Sequence, residues 1–145
     1  MLGKSMFDRG LTVGSSGNIS VRTDDGWLMT PTNSCLGRLD PATLSKVDAK
    51  GNLLSGDKQT KESFLHLSVY AERPAAGAIV HLHSTHSVAV SFLAAVAPQQ
   101  PIPPIPAYSV MTIGHLLLFP SSPPGALTLP HALHEASGPD HAPIL

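Results

Sequence analysis

The chain has a single cysteine, Cys35, so it can form no internal disulfide framework, in keeping with a reducing cytoplasm. It lacks a basic stripe of the kind that binds nucleic acid and an acidic block of the kind that makes a solvated tail, and its net charge is only −1. The stretch from Met1 to Asp8 has no long apolar core of a secretory signal. No run approaches the roughly 20 apolar residues that a membrane-spanning helix needs. These absences point to a soluble cytoplasmic protein whose partners include neither nucleic acid nor membrane.

What is present is enough for one domain, since 42% of the 145 residues are hydrophobic. The composition changes along the chain: eleven of the fourteen prolines fall between Pro98 and Pro143. Residues 1–97 therefore read as the folded core and 98–145 as a Pro-rich, loop-rich continuation of the same domain. Only Val110 to Phe119 in that continuation reads as a strand.

Within the core, Met1 to Arg9 suits a short helix ended by Gly10, which is marginal by itself and must dock on something. Gly14-Ser15-Ser16-Gly17-Asn18 is a small-residue loop whose backbone N–H groups can approach an anion, or else a plain turn. Ile19 to Arg22 alternates as a strand does, and Asp25-Gly26 turns the chain into a second strand, Trp27 to Thr30. Pro31-Thr32-Asn33-Ser34 either offers hydroxyls and amides to a ligand or simply reverses the chain. Asp40-Pro41 has the form of a helix cap followed by proline at the first helical position. Lys46 to Asp48 and Leu53 to Ser55 flank a second hairpin. Thr60 can cap a helix from Lys61 to about Glu72, with Phe64, Leu65, Leu67 and Val69 on its apolar face and Pro74 beyond its end. His66 and Tyr70 share a face of that helix and read as packing or surface residues.

Gly77-Ala78-Ile79-Val80 is apolar and favours a buried strand, and His81-Leu82-His83 continues it. If the strand is extended to His83, both imidazoles point to one side, a geometry that suits a divalent metal. A His-x-His pair alone equally suits packing or surface histidines, and a lone Glu62 in a first helical turn is explained by the helix dipole. From His86 to Ala97 the sequence reads as an uncharged apolar helix, deeply buried or set against another subunit.

Four separated motifs in order, Gly14 to Arg22, Met29 to Asn33, Thr60-Lys61-Glu62 and Ala78 to His86, resemble the class II sugar-phosphate aldolase family, which shares its fold with the adducin head. The resemblance covers residues 1 to 97 and looks closest to the branch that decarboxylates 3-oxo-tetronate 4-phosphates. It implies an α/β fold, an αβα sandwich around a mainly antiparallel central sheet, and a homotetramer with a catalytic divalent metal, usually Zn2+. Carried over by position, His81 and His83 match metal ligands and Glu62 the catalytic acid/base. Ser15, Gly17 and Asn18 match a phosphate loop, Thr32 and Asn33 its second wall, and Thr60 and Lys61 further substrate contacts. Relatives take a third histidine ligand from an Asn/His-His-Gly segment that this sequence does not contain. The resemblance is therefore to a C-terminally truncated, incomplete member, in which His141 or another tail histidine could substitute.

The reaction implied is decarboxylation of a 3-oxo-tetronate 4-phosphate to dihydroxyacetone phosphate and carbon dioxide through an enediolate. An aldolase acting on fuculose or rhamnulose phosphates passes through the same kind of species and is the first alternative. An inactive fragment or interaction module without the third ligand is the second.

Overall fold

In the computed structural model, which describes residues 2–93, 97–98, 102, 115–118 and 141–144, helix α1 spans Leu2–Asp8. Its end is closed by a paired hydrogen-bond pattern, Gly10 N–H to the Phe7 carbonyl and Leu11 N–H to the Met6 carbonyl, each 3.0 Å. Gly10 takes φ +71° there, as expected for the residue just past a helix. So short a helix needs tertiary support, and it has it. Met6 is buried, Phe7 lies against Gly37, and Gly3 lies against the Leu36 carbonyl in a short 3-10 turn, Leu36–Arg38. A second 3-10 turn, Pro41–Thr43, is capped by Asp40, whose carboxylate accepts from Ala42 N–H.

The expected mainly antiparallel sheet is present. Strands β1 (Asn18–Thr23), β2 (Gly26–Met29), β3 (Ser45–Val47), β4 (Leu53–Ser55) and β5 (Ala78–His81) lie in the order β4-β3-β2-β1-β5, every neighbour antiparallel. The first hairpin turns on Asp24-Asp25 rather than Asp25-Gly26, because Thr23 already pairs with Gly26. Lys46 ties that turn down through Thr23 Oγ1 and the Asp25 carboxylate. Helix α2 (Ser63–Glu72) lies against one face of the sheet, where Tyr70 stacks on Trp27 at 5.6 Å between centroids. Met29, Leu36, Val47, Leu65 and Tyr70 are buried.

Three expectations need correction. Helix α2 buries Leu65, His66 and Tyr70 rather than all of Phe64, Leu65, Leu67 and Val69, because its inward stripe follows the spacing of four from Glu62. Strand β5 does not show the expected burial among the described residues: it stands at the end of the sheet order beside β1, and Val80 is 44% exposed. Glu62 occupies the cap position of α2 rather than its first turn. Thr60 lies two residues ahead, its hydroxyl accepting from Glu62 N–H at 3.3 Å and its carbonyl from Ser63 N–H at 3.1 Å.

The structure divides into two units, Met1–Ser84, just described, and Thr85–Leu145. In the second, helix α3 covers Thr85–Ser91 and buries none of its residues among the described residues, so of the two expectations, deep burial or contact with another subunit, the first is not met there; residues 94–96 of the expected helix lie outside the described residues. Strands β6 (His115–Leu117) and β7 (His141–Ile144) pair in parallel. The first falls within the expected Val110 to Phe119 strand, most of which lies outside the described residues, and the second falls where no strand was expected. His131 and His134 lie outside them as well. Among the described residues no helix is long and apolar enough to cross a membrane.

Candidate metal centre

Strand register builds this site. Asn18 opens β1 directly opposite His81, the last residue of β5, so the small-residue loop ahead of Asn18 meets the end of the histidine strand. Gly17 makes that meeting possible: it has φ +75°, and a Cβ on it would lie 2.9 Å from the His81 carbonyl oxygen. Ser15 is exposed at the tip of the same loop. The loop is held from inside by Thr12, whose hydroxyl donates to the Ser16 carbonyl at 2.6 Å.

His83 lies two residues beyond the last paired residue, and its ring meets that of His81, with centroids 4.9 Å apart. The two Nε2 atoms are 3.0 Å apart. Two nitrogens bound tetrahedrally to one zinc at ~2.0–2.1 Å stand ~3.3 Å apart, so the pair is close to ligand spacing. Glu62 completes the cluster, with Oε2 3.5 Å from His81 Nε2, and all three ligand atoms lie within 4.8 Å of one another. Burial, opposed by the Glu62 carboxylate and reinforced by the His83 ring, pushes His81 below the usual histidine value. A neutral imidazole is the form a metal binds. Two imidazoles and a carboxylate fit a borderline divalent cation such as zinc, with room left for substrate or water. Among the described residues no fourth His, Cys, Asp or Glu joins the group.

The remaining expected site residues sit on two backbone segments laced side by side. Thr60 N–H donates to the Thr30 carbonyl at 3.1 Å and Thr32 N–H to the Lys58 carbonyl at 2.9 Å, with an antiparallel bridge between Pro31 and Gln59. Thr60 is buried, Thr32 half-buried, and Asn33 and Lys61 are exposed. Asn33 takes φ +59°, a conformation asparagine tolerates better than most residues.

Asn18 is placed differently from the rest of its loop. Its side-chain N–H donates to Glu62 Oε2 and its carbonyl oxygen meets His66 Nε2. On the far side of that ring, His66 Nδ1 is 2.6 Å from the Ser20 hydroxyl, which is 2.9 Å from the Tyr70 hydroxyl. From sequence, His66 and Tyr70 read as packing or surface residues, and Ser20 has no role beyond its strand. A signal for two of them existed: Glu62, His66 and Tyr70 are spaced by four along one helix, a polar stripe in an otherwise apolar segment.

The model of the class II aldolase and adducin N-terminal domain family matches residues 1–145. A 3-oxo-tetronate 4-phosphate decarboxylase of Cupriavidus necator is 48% identical over 124 residues, 86% of this chain and 57% of that protein. The solved structure of YgbL from Escherichia coli superposes with TM-score 0.90 at 43% identity, over 96% of this chain and 68% of that one. The L-fuculose-1-phosphate aldolase of Thermus thermophilus superposes with TM-score 0.73 at 29% identity, over 93% and 65%. The chain spans 57 to 60% of the length of the first curated relatives it matches.

Proposed function

This chain belongs to the class II aldolase and adducin N-terminal domain family, and from that premise we propose that it is a divalent-metal-dependent carbon–carbon lyase, decarboxylating a 3-oxo-tetronate 4-phosphate. One observation carries the reading: Glu62, His81 and His83 converge within 4.8 Å, next to a small-residue loop that touches the His81 backbone. The match to the Cupriavidus decarboxylase at 48% identity supports this substrate class over the sugar-phosphate aldols.

Loss of carbon dioxide from a 3-oxo acid breaks one carbon–carbon bond and leaves its electron pair on the carbon beside the ketone, where a proton must then arrive. His81 and His83 would hold zinc or another divalent cation, which would supply Lewis acidity worth several kcal/mol towards that charge. Glu62 holds the proton that replaces the carboxylate at carbon, and its distance from His81 suits an acid/base beside the cation. Ser15 and Gly17, with Thr32, Asn33, Thr60 and Lys61, hold the phosphate and so fix the reacting carbons relative to Glu62. Lys61 is exposed and brings the positive charge.

A homo-oligomer in the cytoplasm belongs to the same proposal. Phe92 and Leu93, 78% and 59% exposed, supply apolar surface for subunit contact, and the single cysteine suits a reducing compartment.

The test is release of carbon dioxide from 3-oxo-tetronate 4-phosphates by zinc-loaded protein. Cleavage of fuculose or rhamnulose phosphate without that release would move the assignment to an aldolase. A folded, zinc-loaded sample inactive on both leaves an interaction module.

A further inference from the structure

Resting on the lyase reading, we propose that His66 is a positioning residue that aims the Glu62 carboxylate through the Asn18 amide, with Ser20 and Tyr70 selecting which ring nitrogen carries the proton.

The chain of contacts has one consistent direction. A carboxylate only accepts, so the amide N–H of Asn18 faces Glu62 and its carbonyl oxygen faces His66. That carbonyl also only accepts, so the proton of His66 is on Nε2. His66 Nδ1 then accepts from the Ser20 hydroxyl at 2.6 Å, and Ser20 in turn accepts from the Tyr70 hydroxyl at 2.9 Å. Burial, reinforced by His81 and opposed by Glu62, holds His66 down at about 4, so the ring is neutral and has one donor and one acceptor nitrogen to place.

Water cannot stand in for these partners, because Asn18 is 6% exposed, and Ser20 and His66 are fully buried. The elements are fixed as well. Asn18 and Ser20 are alternate residues of β1 on the face under α2, and Glu62, His66 and Tyr70 form one stripe of that helix and its cap. A carboxylate at a helix cap, with no capping bond of its own and a 3.5 Å contact to His81 Nε2, would otherwise keep much of its rotational freedom. Asn18 removes that freedom, and His66 keeps the amide from turning over.

A merely structural histidine and a positioning one separate in three measurements. Nitrogen-15 NMR of the zinc-loaded protein should find His66 as the Nε2–H tautomer; a dominant Nδ1–H form overturns the proposal. His66→Leu should bind zinc at unchanged stoichiometry yet lose about 10- to 100-fold in kcat, the span of one charge-assisted hydrogen bond, with KM moving less than about threefold. His66→Gln, whose amide N–H can still reach Asn18, should recover most of the loss. An unchanged kcat in His66→Leu, or a Gln variant as impaired as the Leu variant in a folded protein, overturns the proposal. If His66→Leu does not fold, the Gln variant and the tautomer decide. A wild-type protein inactive on every substrate defeats the lyase reading, while the tautomer still tests the directed contacts.

Discussion

Gly17 is pressed against the backbone of His81: a Cβ there would come within 2.9 Å of the His81 carbonyl oxygen, and the residue holds φ +75°. Loop and histidine strand are thus one construction. Gly17→Ala should cost about 2 kcal/mol or more, from a left-handed conformation alanine adopts poorly and a displaced strand end. Thermal unfolding should show a clear drop in Tm, and substrate affinity should fall with it. A variant of unchanged Tm would show that the loop and strand move independently.

Replacing His81 or His83 by Ala removes one of two neutral nitrogen donors and should weaken zinc binding by at least about 100-fold, read by competition with a chromogenic chelator. Glu62→Gln should keep the metal far better than either and still abolish turnover, since it cannot carry a proton between carbon and solvent. Loss of zinc in Glu62→Gln equal to that in His81→Ala would make Glu62 a metal ligand rather than the acid/base.

Lys61→Met should raise KM for a phosphorylated substrate by about tenfold, the loss of one charge-assisted contact, and leave zinc content alone. High salt should mimic the substitution in part, because Lys61 is exposed and its field is screened.

Acid sensitivity follows from His66, pushed from 6.5 down to about 4. Its folded-state value lies below its unfolded one, so the unfolded chain binds the extra proton first. The stability involved is fully present above about pH 6.5 and is lost as pH falls towards 4, on the order of 3 kcal/mol in all. His81 is lowered too and adds in the same direction. The depressed carboxyls of Asp25 and Asp48 act separately, below their ordinary value of 3.8. Urea titrations between pH 4 and 7 should show this slope in the metal-free protein and a shallower one in His66→Leu.

Much of the scaffold was legible because local chemistry decides it: Gly10 ends α1, Asp40 caps Pro41–Thr43, and two hairpins lie where turn residues interrupt alternating runs. The convergence of His81 and His83 was legible from a period of two. What hid was the inward face of β1. Binary patterning turns Ile19 and Val21 inward, whereas Val21 is 44% exposed, and Asn18, Ser20 and Arg22 lie under α2. Arg22 is accommodated by the Ala76 and Tyr70 carbonyls and by the Tyr70 ring at 4.7 Å, Ser20 by His66 and Tyr70. A polar face can be buried only when its partners are already in position, and those partners are more than forty residues away in sequence. Pattern reading has no access to pairings of that range. The same reason explains why His66 read as a packing or surface residue and Asn18 as part of a small-residue, anion-approaching loop or a plain turn.

The order β4-β3-β2-β1-β5 also bears on assembly in time. The β1–β2 and β3–β4 ladders close over short loops, whereas β5 must return from Ala78 to the first strand of the chain, a far larger loss of chain entropy. His81 and His83 ride on that late arrival, so the cation-holding geometry exists only once the longest loop has closed. Metal uptake during refolding should therefore lag hairpin formation, and its rate would time the docking of β5.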